Sequence, residues 1–439
     1  MCYLLSWLDR TNLGNARVAG LQKDLKLTNH QYSICLTITF IPYILAELPS
    51  NLLLKIVGPN RLIPTLLTLW GIVTTLQGLV HNYAGLLACR FFLGLFEGGL
   101  IPGVVLYLSL FYPRERLQRR VSLVFASSSL AGAFSGLLAA GIVKLSGHGG
   151  KPGWAWIFFL EGLFTVLFGV LIFFIMPASP TDCRMLNEAE KNYVLQRLRD
   201  NGAIYEESDH KQSTSREVFK SCLSPHVIFA SLGSLFQGII LYSLSYFAPS
   251  IIQGLGYSAN SAQLMSVPPY AVAFFVTNLS SYLADRYHCR GGVIFFGGAC
   301  CVTGFAMFLS SHASAVQYGS LFLTFAGTNA VSPAYTTWAA NNSAPHVRRA
   351  TSIALICMAT NAGGILSTWL LGSLSAPPRY TTGTIVLLVS AACLSLSAAA
   401  NVAYLWYQNR RKAEIRAVSQ RTEESAGLGD RSAWFTYIL

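Results

Sequence analysis

Apolar runs long enough to cross a lipid bilayer recur along the whole chain. They cover 31–56, 62–80, 84–111, 121–143, 154–176, 226–252, 262–284, 292–310, 315–340, 350–374 and 382–407. A spanning helix needs about 20 mostly apolar residues, so each run predicts one transmembrane helix. The chain opens on a further apolar piece, MCYLLSWLDRTNLGNAR, in which eight residues precede Asp9. That is roughly half a span, and it reads as a first helix that is N-terminally incomplete. A cleaved signal peptide is the rival reading. Against it, Met1 is followed by no basic stretch and no small-residue cleavage site.

The polar positions divide these runs. Segment 177–225 begins MPASPTDC, continues NEAEKNYVLQRLRD with a helical charge pattern, and ends in a polar stretch. The expected organisation is a six-helix bundle over 1–176 with its first span truncated, a central loop over 177–225, a second six-helix bundle over 226–407, and a polar, mobile tail over 408–439. The halves echo each other. NLLLKIVGPNR at 51–61 and SYLADRYHCR at 281–290 follow corresponding spans, and Arg119–Arg120 and Arg348–Arg349 open corresponding later ones. Parallel repeats of this kind are expected in carriers built from two bundles around a central site.

Composition agrees with lipid as the solvent. The chain has 439 residues, 53% hydrophobic and 11% charged, with a mean hydropathy of +0.46; a soluble domain carries about 25% charged residues. The net charge is +12. Basic residues favour the loops after even-numbered spans, the central loop and the tail by 23 to 6, which places those segments in the cytoplasm. Basic residues spread over membrane-flanking loops exclude a nucleic-acid reading of the charge. The prediction is a multi-pass integral membrane protein of the plasma membrane, acting as a monomer.

Charge inside a span is the informative departure. ACRFFLGLFEGGLIPG at 88–103 holds Arg90 and Glu97. Seven residues make about two turns, so the side chains point the same way but stand about 10.5 Å apart along the axis. They are too distant to pair directly on a straight helix. An unpaired charge in mid-span costs at least about 2.5–3.5 kcal/mol and almost always faces a bundle interior or a wet cavity. Arg90 suits an anionic substrate, because a guanidinium matches a carboxylate bidentately and keeps its proton. Glu97 suits a proton site, since burial and a nearby cation push a carboxyl in opposite directions. Gly94, Gly98, Gly99 and Gly103 permit close helix approach, and Pro102 interrupts the helix ladder.

Other polar groups are placed by position. Asp9 and Arg10 close the partial first span, with Asn12 just beyond. They read either as site residues or as a polar end at the membrane surface. Glu47 reads as structural, paired with a basic loop residue. Glu161 reads as an interfacial or interhelix hydrogen-bonding group behind Trp154 and Trp156. The second half offers neutral candidates: Tyr242, Ser245 and Tyr246, then Asn329, Tyr335 and Trp338, then Asn361. Aromatic faces with a few hydrogen-bonding groups suit a small aromatic or amphiphilic acid.

The twelve-span plan, the long central loop and YLADRYHCR resemble the major facilitator superfamily, which implies an all-α membrane fold of two pseudo-symmetric six-helix bundles. WLDRTNLGNARVAGL, ELPSNLLLKIVGP, CRFFLGLFEGGLIPG, GGKPGWAWIFFLEGL and GLGDRSAWF are similar to the fungal anion:cation symporter branch, which holds allantoate permeases and nicotinic acid transporters. This resemblance implies substrate binding by Arg90 and Arg10; Asn12, Tyr242, Tyr246, Asn329, Tyr335, Trp338 and Asn361 are further candidate contacts read from their own chemistry and position. It implies proton coupling by Glu97 and Asp9. It implies a cytoplasmic gate latch of Asp285, Arg286 and Arg290, with Arg348 and Arg349 as partners across the bundles. One departure is Lys55, where the superfamily's first loop motif has an acid. The span SSSLAGAFSGLLAAG lacks the Gly-Pro pair of drug-exporting antiporters, which favours symport.

The expected activity is proton-coupled symport of a small organic anion, a nicotinate-like carboxylate, vitamin or nitrogen metabolite. A proton antiporter exporting a metabolite or toxin and a non-transporting membrane sensor are the alternatives. The ten cysteines are scattered without a CxxC, the eight histidines form no ligand cluster, and there is no phosphate-binding loop. No enzyme activity, metal or cofactor is therefore expected.

Overall fold

The computed structural model describes residues 1–112, 114–183, 186–200, 214–287, 289–344, 346–372, 375, 380–418 and 429–439. Among them the chain is helical, with no strand. Helices α1 (Cys2–Val18), α2 (Leu21–Asp24), α3 (Asn29–Val57), α4 (Pro59–Gln77), α5 (Tyr83–Glu97), α6 (Leu100–Phe111), α7 (Arg114–Ile142) and α8 (Gly153–Ile175) form the first half. After them come α9 (Glu188–Asp200), α10 (Thr214–Cys222), α11 (Pro225–Gly254), α12 (Ala259–Met265), α13 (Val267–Tyr287), α14 (Arg290–Ser310), α15 (Ser314–Asn342), α16 (His346–Gly372) and α17 (Thr381–Val418).

Each apolar run falls on helix. Two runs are broken, 84–111 at Gly98–Gly99 and 262–284 at Ser266. Among the described residues six stretches are long and apolar enough to cross a membrane, from Leu123–Leu145 to Thr381–Ala417. Local chemistry sets several ends. Thr28 and Gln31 exchange side-chain and backbone hydrogen bonds in a capping box before α3. Asn82 caps α5 by accepting from the Gly85 amide at 2.8 Å.

Contacts divide the chain into two compact units. The first comprises Met1–Ser208, Ser245–Ala271 and Thr368–Arg379; the second comprises Asp209–Leu244, Val272–Ser367 and Tyr380–Leu439. This partition differs from halves flanking 177–225, because parts of α11, α13 and α16 and all of α12 belong to the first unit.

In the first unit α4 and α8 lie in close contact through small residues. A Cβ at Gly162 would sit 2.5 Å from the Thr75 amide nitrogen, and one at Gly71 2.7 Å from that of Val166. Apolar helices in lipid associate through such close backbone approach. The other face of α8 exposes Leu163, Leu167, Leu171 and Phe174, while Glu161, Thr165 and Gly169 are buried. That outward apolar stripe is the surface a bilayer covers.

In the second unit α10 forms within the polar stretch before the second half, with Glu217 and Ser221 buried. The described end of the tail corrects the expectation of a mobile segment. Phe435, Tyr437 and Leu439 pack on a core containing Tyr335, Trp338, Ile356 and Leu394.

Candidate functional site

Helix α1 buries the polar residues Ser6, Asp9, Arg10, Thr11, Asn12 and Asn15, while Arg17 in its last turn is half-buried. With about 100° per residue, Ser6 and Arg10 stand one turn apart, and Asp9 and Asn12 occupy a neighbouring stripe. Their hydrogen-bond partners lie on four other helices, α4, α5, α7 and α8. Arg10 donates from Nε (2.9 Å) and Nη2 (2.8 Å) to the same oxygen, Glu97 Oε1. Ser6 Oγ donates to that oxygen too. The Arg10 guanidinium also lies 5.5 Å from the Trp7 ring centre and 5.0 Å from that of Tyr43. Thr74 on α4 donates to Asp9 Oδ2 at 3.0 Å. Asn12 Nδ2 donates to Glu161 Oε2 on α8, and Asn15 Nδ2 to Ser135 Oγ on α7 at 2.6 Å.

Glu97 reaches this position because α5 ends there. Gly94 and Gly98 let α5 press on α3, for a Cβ at either would run into the carbonyls of Thr39 and Tyr43. Arg90 lies two turns earlier on α5. It is 2% exposed, and its Nε and Nη2 have no hydrogen-bond partner among the described residues. Its guanidinium lies 6.0 Å from the Phe158 ring centre. Glu97 Oε2 and Glu161 Oε1 are likewise buried without a partner. Asp9 is within electrostatic reach of Glu97 and Arg90, and Glu161 within reach of Asp9. The unit therefore buries three carboxyls and two guanidiniums together.

This arrangement meets the sequence reading in part. Arg90 and Glu97 do not pair, and Asp9 and Arg10 take separate partners instead of forming a polar helix end. Glu161, read as interfacial, belongs to the cluster. Ser6 and Thr74 were not anticipated. Their signal is spacing: Ser6 and Arg10 at i and i+4, and Thr74 and Gln77 as a polar stripe on an apolar α4. Glu47 is buried, and its Oε2 has no partner among the described residues.

The neutral candidates are scattered. Tyr246 is buried in the first unit, its ring 6.3 Å from Phe40; Ser245 is buried beside it in sequence. In the second unit Tyr242 Oη donates to Asn361 Oδ1 at 2.8 Å, and Asn329 Nδ2 donates to the Phe325 carbonyl at 2.9 Å. Tyr335 and Trp338 depart from the substrate-contact expectation. The Tyr335 hydroxyl meets Ser397 at 3.3 Å, and Trp338 Nε1 donates to the Ile438 carbonyl at 2.8 Å. Both rings build the core under the tail.

The expected latch is also arranged differently. Arg290 reaches Asp285 at 3.4 Å and the Thr337 carbonyl at 3.4 Å. Arg286 is exposed near Tyr282 at 3.4 Å. Arg348, read as a partner across the bundles, instead binds Glu217 at 2.6 Å and Asp430 within the second unit. Arg349 is half-buried on α16.

Long helices with apolar outer faces and charges buried inside define a membrane carrier fold. The chain belongs to the Major Facilitator Superfamily, whose model matches residues 1–368. It is 34% identical to an uncharacterized transporter of Schizosaccharomyces pombe, over 100% of this chain and 87% of that one. It is 30% identical to the high-affinity nicotinic acid transporter of Saccharomyces cerevisiae, over 100% of this chain and 82% of that one. The fold matches a bacterial homolog of the human lysosomal transporter Spinster in an inward-facing, occupied conformation, with a TM-score of 0.68 at 16% identity over 91% and 94% of the two chains. It also matches a D-xylose–proton symporter, with a TM-score of 0.66 at 15% identity over 91% and 96%.

Proposed function

We propose that this transporter carries a small organic anion together with protons by alternating access, as a monomer in the plasma membrane with its central loop and tail in the cytoplasm. The observation that carries the reading is the pair of vacant donors on Arg90. Nε–H and Nη2–H form one edge of the guanidinium, the parallel pair that a carboxylate accepts bidentately. A buried arginine with that edge unpaired is costly, and an anionic substrate removes the cost.

Protons follow from charge. Asp9, Glu97 and Glu161 exceed Arg10 and Arg90 by one negative charge if all are ionised. An incoming carboxylate adds another, and a low-dielectric interior opposes that accumulation. Protonation of Glu97 or Asp9 offsets it. Protonated Glu97 releases its hold on Arg10, which gives Arg10 a second role at the anion. A nicotinate-like monocarboxylate is the substrate class this favours, in line with the nicotinic acid transporter among the relatives.

The test is uptake of radiolabelled nicotinate by proteoliposomes with an inward proton gradient, with and without a protonophore. Arg90→Ala should abolish uptake. Glu97→Gln should retain exchange but lose gradient-driven accumulation. Wild-type accumulation that is indifferent to the protonophore would rule out symport.

A further inference from the structure

Three carboxyls share the cluster, and their support as anions is unequal. Glu97 Oε1 accepts from Ser6 and twice from Arg10. Asp9 accepts from the Thr74 hydroxyl. Glu161 accepts from one neutral amide, that of Asn12, and its other oxygen is buried and bare. Asp9 on α1 is within electrostatic reach of Glu161, and Arg90 and Glu97 on α5 are within reach of Asp9 in turn. Arg10 is bound to Glu97, and α4 and α7 contribute the neutral Thr74 and Ser135.

The three carboxyls are also ordered along α1. Asn12, which holds Glu161, lies about 4.5 Å beyond Asp9 on the helix axis and about 9 Å beyond Ser6, which holds Glu97. Glu161 is thus the carboxyl nearest the end of the unit where Trp154 Nε1 donates to Asp24 at 2.8 Å.

We propose that Glu161 is a further proton-carrying residue of the transport reaction, holding the proton that neutralises the resting cluster and passing it to Asp9. The inference rests on the proton-coupled reading above. In the transfer, the O–H bond at Glu161 Oε1 breaks and one forms on an Asp9 carboxylate oxygen. Glu161 becomes anionic, Asp9 neutral, and the total charge is unchanged. A hydronium ion entering from the Trp154–Asp24 end then reprotonates Glu161 and leaves water. Asn12 holds the carboxyl with one oxygen turned to the amide and the other open for the proton.

Infrared difference spectroscopy of the purified full chain tests this without substrate, so its outcome is separable from the uptake experiment. All variants carry Glu47→Gln, which silences a buried carboxyl outside the cluster that also has an unpartnered oxygen; in that background the chain should show, at neutral pH, a protonated buried-carboxyl stretch that shifts in deuterium oxide. Glu161→Gln should remove that band, and Glu97→Gln should leave it. Asn12→Ala should keep the band but move it to higher frequency, because the carboxyl loses its one donor, and this variant serves if Glu161→Gln fails to fold. A neutral-pH band that persists in Glu161→Gln, or is unmoved in Asn12→Ala, overturns the proposal.

Discussion

Two buried arginines in the first unit differ in what surrounds them. Arg10 has Glu97 on its edge and the rings of Trp7 and Tyr43 nearby; Arg90 has Phe158 nearby and an open edge. The sequence alone could not rank them, because both are arginines in apolar helices. What it did show was that Arg90 and Glu97 stand two turns apart and must look elsewhere. Which residue answers Glu97 depended on how α1 meets α5, and no periodicity encodes that. The difference makes a lysine exchange diagnostic. Arg90→Lys keeps the charge but cannot present two parallel donors. Losing one charge-assisted hydrogen bond costs about 1.5–3 kcal/mol, so KM for nicotinate should rise about 10–100-fold while kcat changes little. Concentration-dependent uptake in proteoliposomes reads both. An unchanged KM would remove Arg90 from the anion site.

At the scale of elements, the spans were legible and the tail was not. Apolar runs mark helices because lipid leaves the backbone no partner but itself. The tail's polar composition suggested a free end, yet Gly429–Leu439 is held at many points. The Leu439 carbonyl accepts from the Arg290 amide at 2.9 Å, and Asp430 N–H donates to the Ala344 carbonyl at 3.0 Å. Asn342 exchanges two hydrogen bonds with Ile438 at 2.9 and 2.8 Å. Lys412 Nζ donates to the Asp430 and Phe435 carbonyls at 2.5 and 3.0 Å. The tail thus straps together α14, the α15–α16 connection and α17, and these partners are backbone carbonyls and amides that composition does not reveal. Trp338, which looked like a ligand contact, is the strap's anchor. Removing 429–439 leaves Arg348 without Asp430 and strips the cover from the core around Tyr335 and Trp338. The truncated chain should lose several degrees of Tm in detergent and elute with more aggregate. Trp338→Phe removes the donor to Ile438, worth about 1 kcal/mol, and part of a buried ring, which adds a cavity cost; it should still lower Tm less than the truncation does.

For the whole molecule, acid has two opposed effects on the second unit. Glu217 is buried on α10 between Lys220 (2.6 Å) and Arg348 (2.6 Å). Burial pushes its carboxyl up, but the hydrogen bonds and charges of Lys220 and Arg348 outweigh that and hold it below the ordinary 4.5. A depressed carboxyl contributes stability that is present above its unfolded value and lost as pH falls through the folded one. Asp430 has the opposite sign. Burial raises it above 3.8 despite Arg348 and Lys412, so its contribution is present below the unfolded value and fades as pH rises. Superposed on both is the net charge of +12, which grows as carboxylates protonate and adds self-repulsion. Tm of the detergent-solubilised chain should therefore fall once pH drops below about 4.5, the ordinary value for a glutamate. Glu217→Gln should lower Tm at pH 7 and flatten that acid limb, since the titrating group is gone. Asp430→Asn should steepen the limb, because the opposing proton uptake is removed. Arg348→Ala takes the shared guanidinium from both carboxyls, leaving Glu217 with Lys220 alone and Asp430 with Lys412 nearby; breaking a buried pair costs about 3–5 kcal/mol, so at pH 7 it should be the least stable of the three. Thermal scans of the four proteins across this pH range decide the matter: parallel curves for wild type and Glu217→Gln would mean that the Arg348 clamp does not govern the acid limit of the fold.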